Sequence, residues 1–549
     1  MSLKTRLLAV VGGLAAFVLT GCGPNETPKD SGDISGVEEI GQPLAALATA
    51  PTFATGTLTV AVATGETAII SKHAVSGNIL VNDVFAAGAT SAAVKNVAIT
   101  GTAGAQTVII DFANGTFAPG TSAAAGITVV FAGGADLFKL RGVGATADTI
   151  TVGGTALAMD IAFNIDAYKD ISVSSTGGSI AKTFSLGGGN DVFNALSGAY
   201  GTGGAAFTGP LTVYGGLGDD TLTGGDGNDT FYGDLGNDTM NGGTLNSDGD
   251  VYNGGAGTDT VTYAARTNPV TITVGAGAAD GETATETDDI KADVEIVVGG
   301  SGADTFTGWT GDQTFYGGAG NDTFDMGLLA STGAGNDTVY GEAGTDTVTY
   351  ASRIELVTVT MDLNVANDGN PGGETDNVRD DVENVICPTA ALVCTVTGNA
   401  LDNTITGGAG ADVLSGGAGD DTFIVGATGG IGAGADTFNG GAGIDTVNFA
   451  AFGAAIAITM DGVAGTNTQL KIIGLDVENL TCPSATASVV TGNALNNRIV
   501  GSSAADTING MGGDDFIETA GGNDTVDCGD GSDILYYTAG VPVPTACEL

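Results

Sequence analysis

A nine-residue unit of the form Gly-Gly-x-Gly-x-Asp-x-apolar-x limits what this chain can fold into. It occurs as GGLGDDTLT at 215–223, GGDGNDTFY at 224–232 and GGAGNDTFD at 317–325, and looser copies bring the total to about twenty. A unit this short buries nothing until another unit stacks on it. The repeat therefore predicts an all-β solenoid rather than a globule.

Each position in the unit has a physical reason. Glycines at the first, second and fourth positions allow positive φ, so six residues can form a tight turn whose carbonyls point at one centre. The sixth-position aspartate closes the turn with a hard anionic oxygen. The last three residues form a minimal strand whose central apolar side chain faces inward, and two units complete one coil.

The sixth-position aspartates are the candidate metal ligands. They are Asp191, Asp220, Asp229, Asp238, Asp259, Asp304, Asp322, Asp337, Asp346, Asp412, Asp421, Asp436, Asp445, Asp506, Asp515, Asp524 and Asp533.

These units resemble the haemolysin-type RTX nonapeptide GGxGxDxUx, and the resemblance covers residues 186–536 in blocks. It implies a right-handed parallel β-roll, or β-helix, with multiple Ca²⁺ ions as cofactors. The implied ligands are the sixth-position carboxylates and carbonyls of the glycine turns. The alternative is a metal-free glycine-rich solenoid, but a solubility role would not require aspartate at one position of nine.

Three turns depart from the pattern and are left out of the candidate ligands. The unit at 308–316 has Gln313 at the carboxylate position and Trp309 in place of glycine, and two other units have Asn403 and Asn497. We expect these turns to bind calcium weakly or to begin a block.

A longer repeat of roughly ninety to one hundred residues divides the solenoid. DTVTYAAR (259–266), DTVTYASR (346–353) and DTVNFAAF (445–452) each end a block, and each excursion returns through Asp-Val-Glu at 293–295, 381–383 or 476–478. The predicted organisation is a signal peptide (1–21), a flexible tether (22–50), a β-rich region (51–185), repeat blocks (186–262, 299–349, 398–448 and 492–536), excursions (263–298, 350–397 and 449–491) and a tail (537–549).

Two regions leave alternatives open. The acid-rich stretches 280–293 and 368–383 could bind additional calcium, but a solvated loop on the solenoid flank is the favoured interpretation. Residues 51–185 contain short alternating runs such as LTVAV (58–62), typical of strands. They form either a small β-domain or, as we favour, the irregular start of the solenoid.

The first 22 residues resemble a bacterial lipoprotein signal. Lys4 and Arg6 precede an apolar run from Leu7 to Leu19, and Leu-Thr-Gly-Cys ends at Cys22. The resemblance implies acylation of Cys22 and a lipid anchor in the membrane. With Gly23 after the cysteine, we expect placement in a bacterial outer membrane or at the cell surface. The alternative is an ordinary secretory signal, giving an extracellular protein, or an uncleaved anchor that happens to carry a cysteine.

The other cysteines fit export. Short loops separate Cys387 from Cys394 and Cys528 from Cys547, so each pair could form a disulfide outside the cytoplasm, leaving Cys482 unpaired. Their spacing matches no Cys-x-x-Cys zinc pattern.

Charge and catalytic residues narrow the function. The net charge of −48, from 15 Lys+Arg against 63 Asp+Glu, opposes binding to nucleic acid. His73 is the one histidine, so no HExxH zinc motif exists, and no glycine-rich segment ends in Gly-Lys-Ser/Thr. We expect a calcium-binding, lipid-anchored surface protein with a structural, adhesive or envelope-layer role, whose partners include surface glycans or other cells. The alternative is a polysaccharide-modifying enzyme with its site in residues 51–185 or on a solenoid face.

Overall fold

The computed structural model describes residues 47–547 with internal gaps. The gaps are 118–124, 143–145, 164–169, 197–205, 244–247, 278, 283–285, 309–310, 327–334, 363–365, 371–374, 426–433, 464–470 and 538–545. Across the described ranges the chain forms forty-nine short strands and no helix. Consequently, this part of the chain contains no helix that could cross a membrane.

The strands that precede the clean repeats are β1 (Thr52–Ala54), β2 (Thr57–Val62), β3 (Thr67–Lys72), β4 (Asn78–Val81), β5 (Val84–Thr90), β6 (Asn96–Gly101), β7 (Thr107–Asp111), β8 (Ile127–Phe131), β9 (Ala135–Arg141), β10 (Thr149–Thr155), β11 (Ala158–Phe163), β12 (Ile171–Ser175), β13 (Ser179–Gly188) and β14 (Val192–Asn194). The strands up to the end of the second repeat block are β15 (Thr212–Leu217), β16 (Thr221–Thr223), β17 (Thr230–Leu235), β18 (Thr239–Asn241), β19 (Val251–Ala256), β20 (Thr260–Thr262), β21 (Val270–Thr273), β22 (Gly281–Glu282), β23 (Asp289–Ile290), β24 (Ile296–Val298), β25 (Thr305–Thr307), β26 (Thr314–Tyr316), β27 (Ala319–Gly320), β28 (Thr323–Asp325), β29 (Thr338–Tyr340), β30 (Ala343–Gly344) and β31 (Thr347–Thr349).

The remaining strands are β32 (Val357–Thr360), β33 (Asn377–Val378), β34 (Asn384–Ile386), β35 (Cys394–Thr397), β36 (Thr404–Thr406), β37 (Val413–Ala418), β38 (Thr422–Ile424), β39 (Thr437–Ala442), β40 (Thr446–Asn448), β41 (Ala457–Thr459), β42 (Ile472–Ile473), β43 (Asn479–Thr481), β44 (Val489–Thr491), β45 (Arg498–Val500), β46 (Thr507–Asn509), β47 (Phe516–Thr519), β48 (Thr525–Asp527) and β49 (Ile534–Tyr537).

Successive coils stack as parallel strands. In the first repeat block β15 pairs with β17, and β16 pairs with β18 in a different sheet. Asp220 and Asp238, which occupy equivalent places on neighbouring coils, are 18 residues apart in the chain. Two nonapeptides therefore make one coil, and the predicted all-β parallel solenoid is confirmed.

The core is a line of inward-facing apolar side chains, one from each short strand. Leu222, Phe231 and Met240 are fully buried, while the residues that flank them in the strands are partly exposed. The rings of Phe306 and Phe324 stack at 5.1 Å between centroids. Burying a side chain of this size stabilises a fold by about 1.5–3 kcal/mol, so the eighth position of the repeat supplies the cohesion between coils.

The N-terminal strands lie in the same two sheets as the repeats. One long sheet runs β2-β6-β8-β12-β11-β10-β14 and continues directly into β16, and a second runs from β3 through β7, β9 and β13 into β15. Antiparallel pairs occur where β10, β11 and β12 meet and at the beginning of the chain. The continuous sheets favour an irregular solenoid start over a separate β-domain.

The excursions leave the solenoid and return to it in register. On returning, β24 pairs in parallel with β20, β34 with β31, and β43 with β40. The valine of each Asp-Val-Glu triplet is buried at that point. The stack of coils therefore continues across each excursion.

The structure confirms both cysteine pairings that the sequence suggested. Disulfides join Cys387 to Cys394 and Cys528 to Cys547, and Cys482 is free and buried. The first bridge closes a loop within the second excursion, and the second ties the end of the chain to the last repeat block.

Candidate metal centre: the aspartate columns

Stacking in register places the sixth-position aspartates directly above one another. We call each such line an aspartate column. The columns are Asp148, Asp191, Asp220, Asp238 and Asp259; Asp229, Asp250 and Asp288; Asp304, Asp322 and Asp346; Asp337 and Asp376; Asp412 and Asp436; Asp421 and Asp445; Asp506 and Asp524; and Asp515 and Asp533. All seventeen predicted ligands belong to these columns.

Within a column, one oxygen of each carboxylate accepts a hydrogen bond from a backbone amide. The amide N–H of Asp191 donates to Oδ1 of Asp220 at 2.7 Å, and the N–H of Asp220 donates to Oδ1 of Asp238 at 2.7 Å. The same bond runs from Asp304 to Asp322. Each carboxylate is therefore fixed in orientation by the coil beside it.

The second oxygen, Oδ2, has no hydrogen-bond partner in many of the column aspartates. This buried and unpartnered oxygen occurs in Asp191, Asp220, Asp238, Asp259, Asp322, Asp346, Asp421, Asp445, Asp515 and Asp533. A buried ionised group without a partner costs several kcal/mol or more, so natural structures seldom keep one unless a cation balances it.

Four predicted ligands differ because both of their oxygens accept hydrogen bonds. Oδ2 of Asp229, Asp304 and Asp412 accepts the amide of the second-position glycine in its own turn, and Oδ2 of Asp506 accepts that of Ser502. Their Oδ1 atoms are bonded like those of the other column members. These four lie at the first aspartate turn of their columns.

A glycine carbonyl lies beside the free oxygen. A Cβ built on Gly233 would lie 2.3 Å from Oδ2 of Asp238 and 2.5 Å from the carbonyl oxygen of Gly254 on the next coil. Gly317 has the same surroundings, with Oδ2 of Asp322 at 2.4 Å and the carbonyl of Gly341 at 2.8 Å. A side chain at the first position would therefore fill the space between these oxygens, which explains why the position needs glycine.

The donor set fits calcium. Carboxylate and carbonyl oxygens with flexible geometry are the ligands that Ca²⁺ prefers. Among the residues with described positions, no three His, Cys, Asp or Glu side chains come together as a metal cluster. A metal here would therefore depend on backbone carbonyls as well as on the column carboxylates.

Burial and mutual repulsion oppose ionisation of a column. Burial, together with the neighbouring charges of Asp191 and Asp238, raises the pKa of Asp220 to about 8, against the hydrogen bond from the Asp191 amide. Burial likewise raises the pKa of Asp238 to about 7. Near neutral pH the column therefore needs protons or cations to remain folded.

The columns contain carboxylates that sequence reasoning missed. Oε2 of Glu295, Glu383 and Glu478 accepts the amide N–H of the last aspartate in the preceding block, at 2.8, 2.7 and 2.8 Å. Each glutamate is the last residue of an Asp-Val-Glu triplet and precedes a three-residue strand. That position, immediately before an x-apolar-x strand, was the available signal, and glutamate fills the place of aspartate.

Asp148, Asp250, Asp288 and Asp376 were also missed. Asp250 precedes Val-Tyr-Asn and then two glycines, which is the second half of a repeat whose first half is irregular. Asp288 and Asp376 lie in the acid-rich stretches and accept the amides of Asp250 and Asp337 at 2.8 and 3.1 Å.

The solvated-loop interpretation of the acid-rich stretches is wrong for their principal acids. Asp280, Asp288, Asp368 and Asp376 are fully buried. Oδ1 and Oδ2 of Asp280 accept the amides of Thr273 and Ile290, and Asp368 binds the equivalent amides in the second excursion. These acids accept hydrogen bonds from backbone amides in place of water, and in this way they hold the excursions closed.

Two of the three substituted turns are satisfied without a metal. The side-chain amide of Asn403 donates to the carbonyl of Glu383 at 3.2 Å and to Oδ1 of Asn399 at 3.0 Å. Asn497 makes the equivalent bonds to Glu478 and Asn493. A neutral side chain that donates hydrogen bonds has no need of a cation, in agreement with leaving these turns out of the candidate ligands.

The fold and the columns define a class of protein: a parallel β-roll of glycine- and aspartate-rich nonapeptides with oxygen-lined turns. The family model described as RTX calcium-binding nonapeptide repeat (4 copies) matches residues 214–247, 292–324, 330–352, 397–427, 432–448 and 491–526. These segments are RTX repeats, and multiple calcium ions are their cofactors. Such repeats are typical of secreted and cell-surface proteins. A search of curated proteins gave no match.

Proposed function

We propose that the aspartate columns are the calcium sites of a lipid-anchored surface protein whose solenoid is stiffened by the bound ions. The observation that carries the proposal is the row of buried Oδ2 atoms without partners, of which those of Asp220, Asp238 and Asp322 lie near a glycine carbonyl of the next coil. Bound calcium would supply the positive charge that these oxygens lack.

The predicted ligands take part in binding calcium. Asp436 is the exception, because its Oδ2 is bonded to a lysine. The aspartates with a free Oδ2 have the strongest support, and Glu295, Glu383 and Glu478 extend the columns across the excursions. The chain's own part is to hold each carboxylate by its Oδ1 bond and to exclude water by stacking the coils. Because the columns follow the stacked coils, each coil that loses its cation weakens its neighbours.

Removing two adjacent ligands tests the assignment. Asp322 and Asp346 are neighbours in one column, and we expect Asp322→Ala with Asp346→Ala to bind fewer calcium ions than the wild-type chain. Calcium per chain is measured by elemental analysis after equilibrium dialysis. The matched control is Asp461→Ala with Asp527→Ala, which removes the same charge from exposed positions outside the columns. Equal calcium contents in the two double variants would falsify the assignment.

The proposed role is structural or adhesive, at the surface of the outer membrane. Its support is the lipoprotein-like signal together with calcium-dependent repeats, because calcium is abundant outside cells and weak extracellular sites of about 10⁻⁴ to 10⁻³ M are filled there. Cys22 and the tether lie outside the described residues. The proposed partners, surface glycans or other cells, would contact the outward-facing side chains of the strands.

The anchor gives a separate prediction. We expect the mature protein to fractionate with membranes through acyl chains on Cys22, and Cys22→Ser to release it into a soluble fraction. Two acyl chains hold a protein stably at a bilayer, whereas no such attachment remains after the substitution. Cys482→Ser, which changes a buried free thiol, is the control and keeps the membrane association. Membrane association that survives Cys22→Ser contradicts the anchor and favours ordinary secretion.

A further inference from the structure

One position in the columns holds a lysine where equivalent positions hold aspartate. Strand β42 pairs with β39 so that Ile472 faces Thr437, which places Lys471 opposite Asp436. The same register places Asp288 opposite Asp250 in the first excursion and Asp376 opposite Asp337 in the second. We call the pair Asp250–Asp288 the first junction, Asp337–Asp376 the second and Asp436–Lys471 the third.

The lysine occupies the oxygens that other columns leave free. Nζ of Lys471 bonds Oδ2 of Asp436 and donates to the carbonyl oxygen of Gly434 at 3.1 Å. Its side chain is completely buried, and its backbone follows the other junctions because the amide of Ile472 donates to the Asp436 carbonyl. One carboxylate oxygen and one turn carbonyl, the donor types offered to calcium elsewhere, are therefore bound by an ammonium group.

The residues around Lys471 also differ from their counterparts at the first and second junctions. Tyr263 and Tyr350 donate their hydroxyl groups to Oδ2 of Asp288 and Asp376, whereas the equivalent residue in DTVNFAAF is Phe449. A phenylalanine cannot donate a hydrogen bond, and Lys471, unlike Asp288 and Asp376, has no carboxylate to accept one.

The arginine that ends DTVTYAAR and DTVTYASR is also replaced in DTVNFAAF. Arg266 and Arg353 lie close to the excursion acids, with Arg266 bonded to Glu286 at 2.5 Å, and the equivalent residue in the third excursion is Phe452. The ring of Phe452 lies 5.9 Å from Nζ of Lys471. The second junction thus combines two carboxylates with one guanidinium, while the third combines one carboxylate with one ammonium and is neutral without metal.

A second lysine occurs at the opposite end of another column. Lys182 immediately precedes Thr183, which is in register with Thr212 and Thr230, so it lies in line with Leu211 and Asp229. Its side chain is buried, and Nζ donates to the carbonyl of Ile180 at 2.9 Å. The only lysines among the buried side chains that the structure describes are therefore these two column-end residues.

We propose that Lys471 is a built-in cation that ends the Asp412–Asp436 column and takes the place of a calcium ion at the third junction. The inference rests on the proposed calcium role of the columns. A tethered ammonium group does not depend on the calcium concentration, so the third junction keeps its structure where the first and second junctions open. Because its charge is balanced without calcium, neighbouring coils can fold against it when calcium binds to them.

Hydrogen exchange of the full-length chain over a calcium titration tests this. The amides of 437–439 and 472–473 report the third junction, those of 251–253 and 289–290 the first, and those of 338–340 and 377–378 the second. We expect half-maximal protection of the third junction at a calcium concentration at least about tenfold lower than at the other two, a difference of about 1.4 kcal/mol. A calcium midpoint there that equals or exceeds those of the other junctions overturns the proposal.

Three variants connect the effect to the side chain. We expect Lys471→Asp, which restores the residue type of the other junctions, to bind one additional calcium ion per chain and to raise the calcium midpoint of the third junction to theirs. Lys471→Met leaves Asp436 without a counter-charge and raises that midpoint too. Lys291→Met removes a partly exposed lysine paired with Asp289 and leaves the calcium midpoint of the third junction unchanged.

The outcomes separate this inference from the proposed function. If none of the junctions responds to calcium, the column assignment itself fails. If the first and second junctions respond and Lys471→Met behaves like Lys291→Met, only the role of Lys471 fails. Should Lys471→Asp not fold, Lys471→Met and the wild-type exchange data still decide.

Discussion

Metal-free protein is expected to lose most of its β-structure at pH 8, and calcium is expected to restore it cooperatively. Column neighbours lie on adjacent coils, so their carboxylates are roughly 5 Å apart, and two such charges repel by about 3 kcal/mol at an effective dielectric of 20. Summed over many coils, this repulsion exceeds the 5–15 kcal/mol by which a domain is ordinarily stable. Cations between the carboxylates reverse its sign and couple binding to folding.

Circular dichroism of the full-length chain, titrated with calcium after chelation, measures this effect. The full chain is needed because β13 and β15 lie in one sheet, and a fragment of the repeats alone would expose the joint between them. Magnesium at equal concentration is the control and should restore far less signal, since it requires near-ideal octahedral geometry and dehydrates reluctantly. A chain fully folded in chelator would show that the columns need no cation.

Acidification is expected to replace calcium in part. Burial raises the pKa of Asp220 and of Asp229 to about 8 and that of Asp250 to about 10, whereas an aspartate in an unfolded chain titrates near 3.9. The folded metal-free state therefore binds more protons than the unfolded state. Its stability from these groups is fully present below about pH 4 and is lost as the pH rises towards 8 to 10.

The measurement compares metal-free protein at pH 5 and pH 8, prepared by gel filtration in metal-free buffer. We expect the β-signal to be larger at pH 5 and, with calcium present, the calcium midpoint to rise as the pH falls, because protons and calcium compete for the same oxygens. His73→Ala is the control and should leave the profile unchanged, because His73 lies outside the columns. A metal-free chain with less structure at pH 5 than at pH 8 would contradict the proton-binding argument.

Much of the candidate site could be predicted because its determinants lie within nine residues. Glycine at the first, second and fourth positions, aspartate at the sixth and an apolar residue at the eighth specify a turn, a ligand and a strand locally. Where two units follow each other without an insertion, the 18-residue interval places each Asp above the Asp of the coil before it, as Asp220 and Asp238 show. Longer intervals, such as the 24 residues between Asp322 and Asp346, also bring the aspartates into register.

The excursions could be predicted only in part because they vary in length. Asp250 and Asp288 are 38 residues apart, Asp337 and Asp376 are 39 apart, and Asp436 and Lys471 are 35 apart. No fixed spacing shows which residue will return opposite a column. The acids that we interpreted from the sequence as part of a solvated loop are buried instead, because the amides of the returning strands need acceptors.

The sequence by itself determined the parallel roll, the two units per coil and the oxygen chemistry of the turns, because each depends on backbone angles and side-chain types inside a single repeat. Only the tertiary structure decided which carboxylate oxygens have no partner, that Glu295, Glu383 and Glu478 continue the columns, and that Lys471 faces Asp436. Those facts depend on which coils become neighbours, and that is fixed by stacking across segments far apart in the chain.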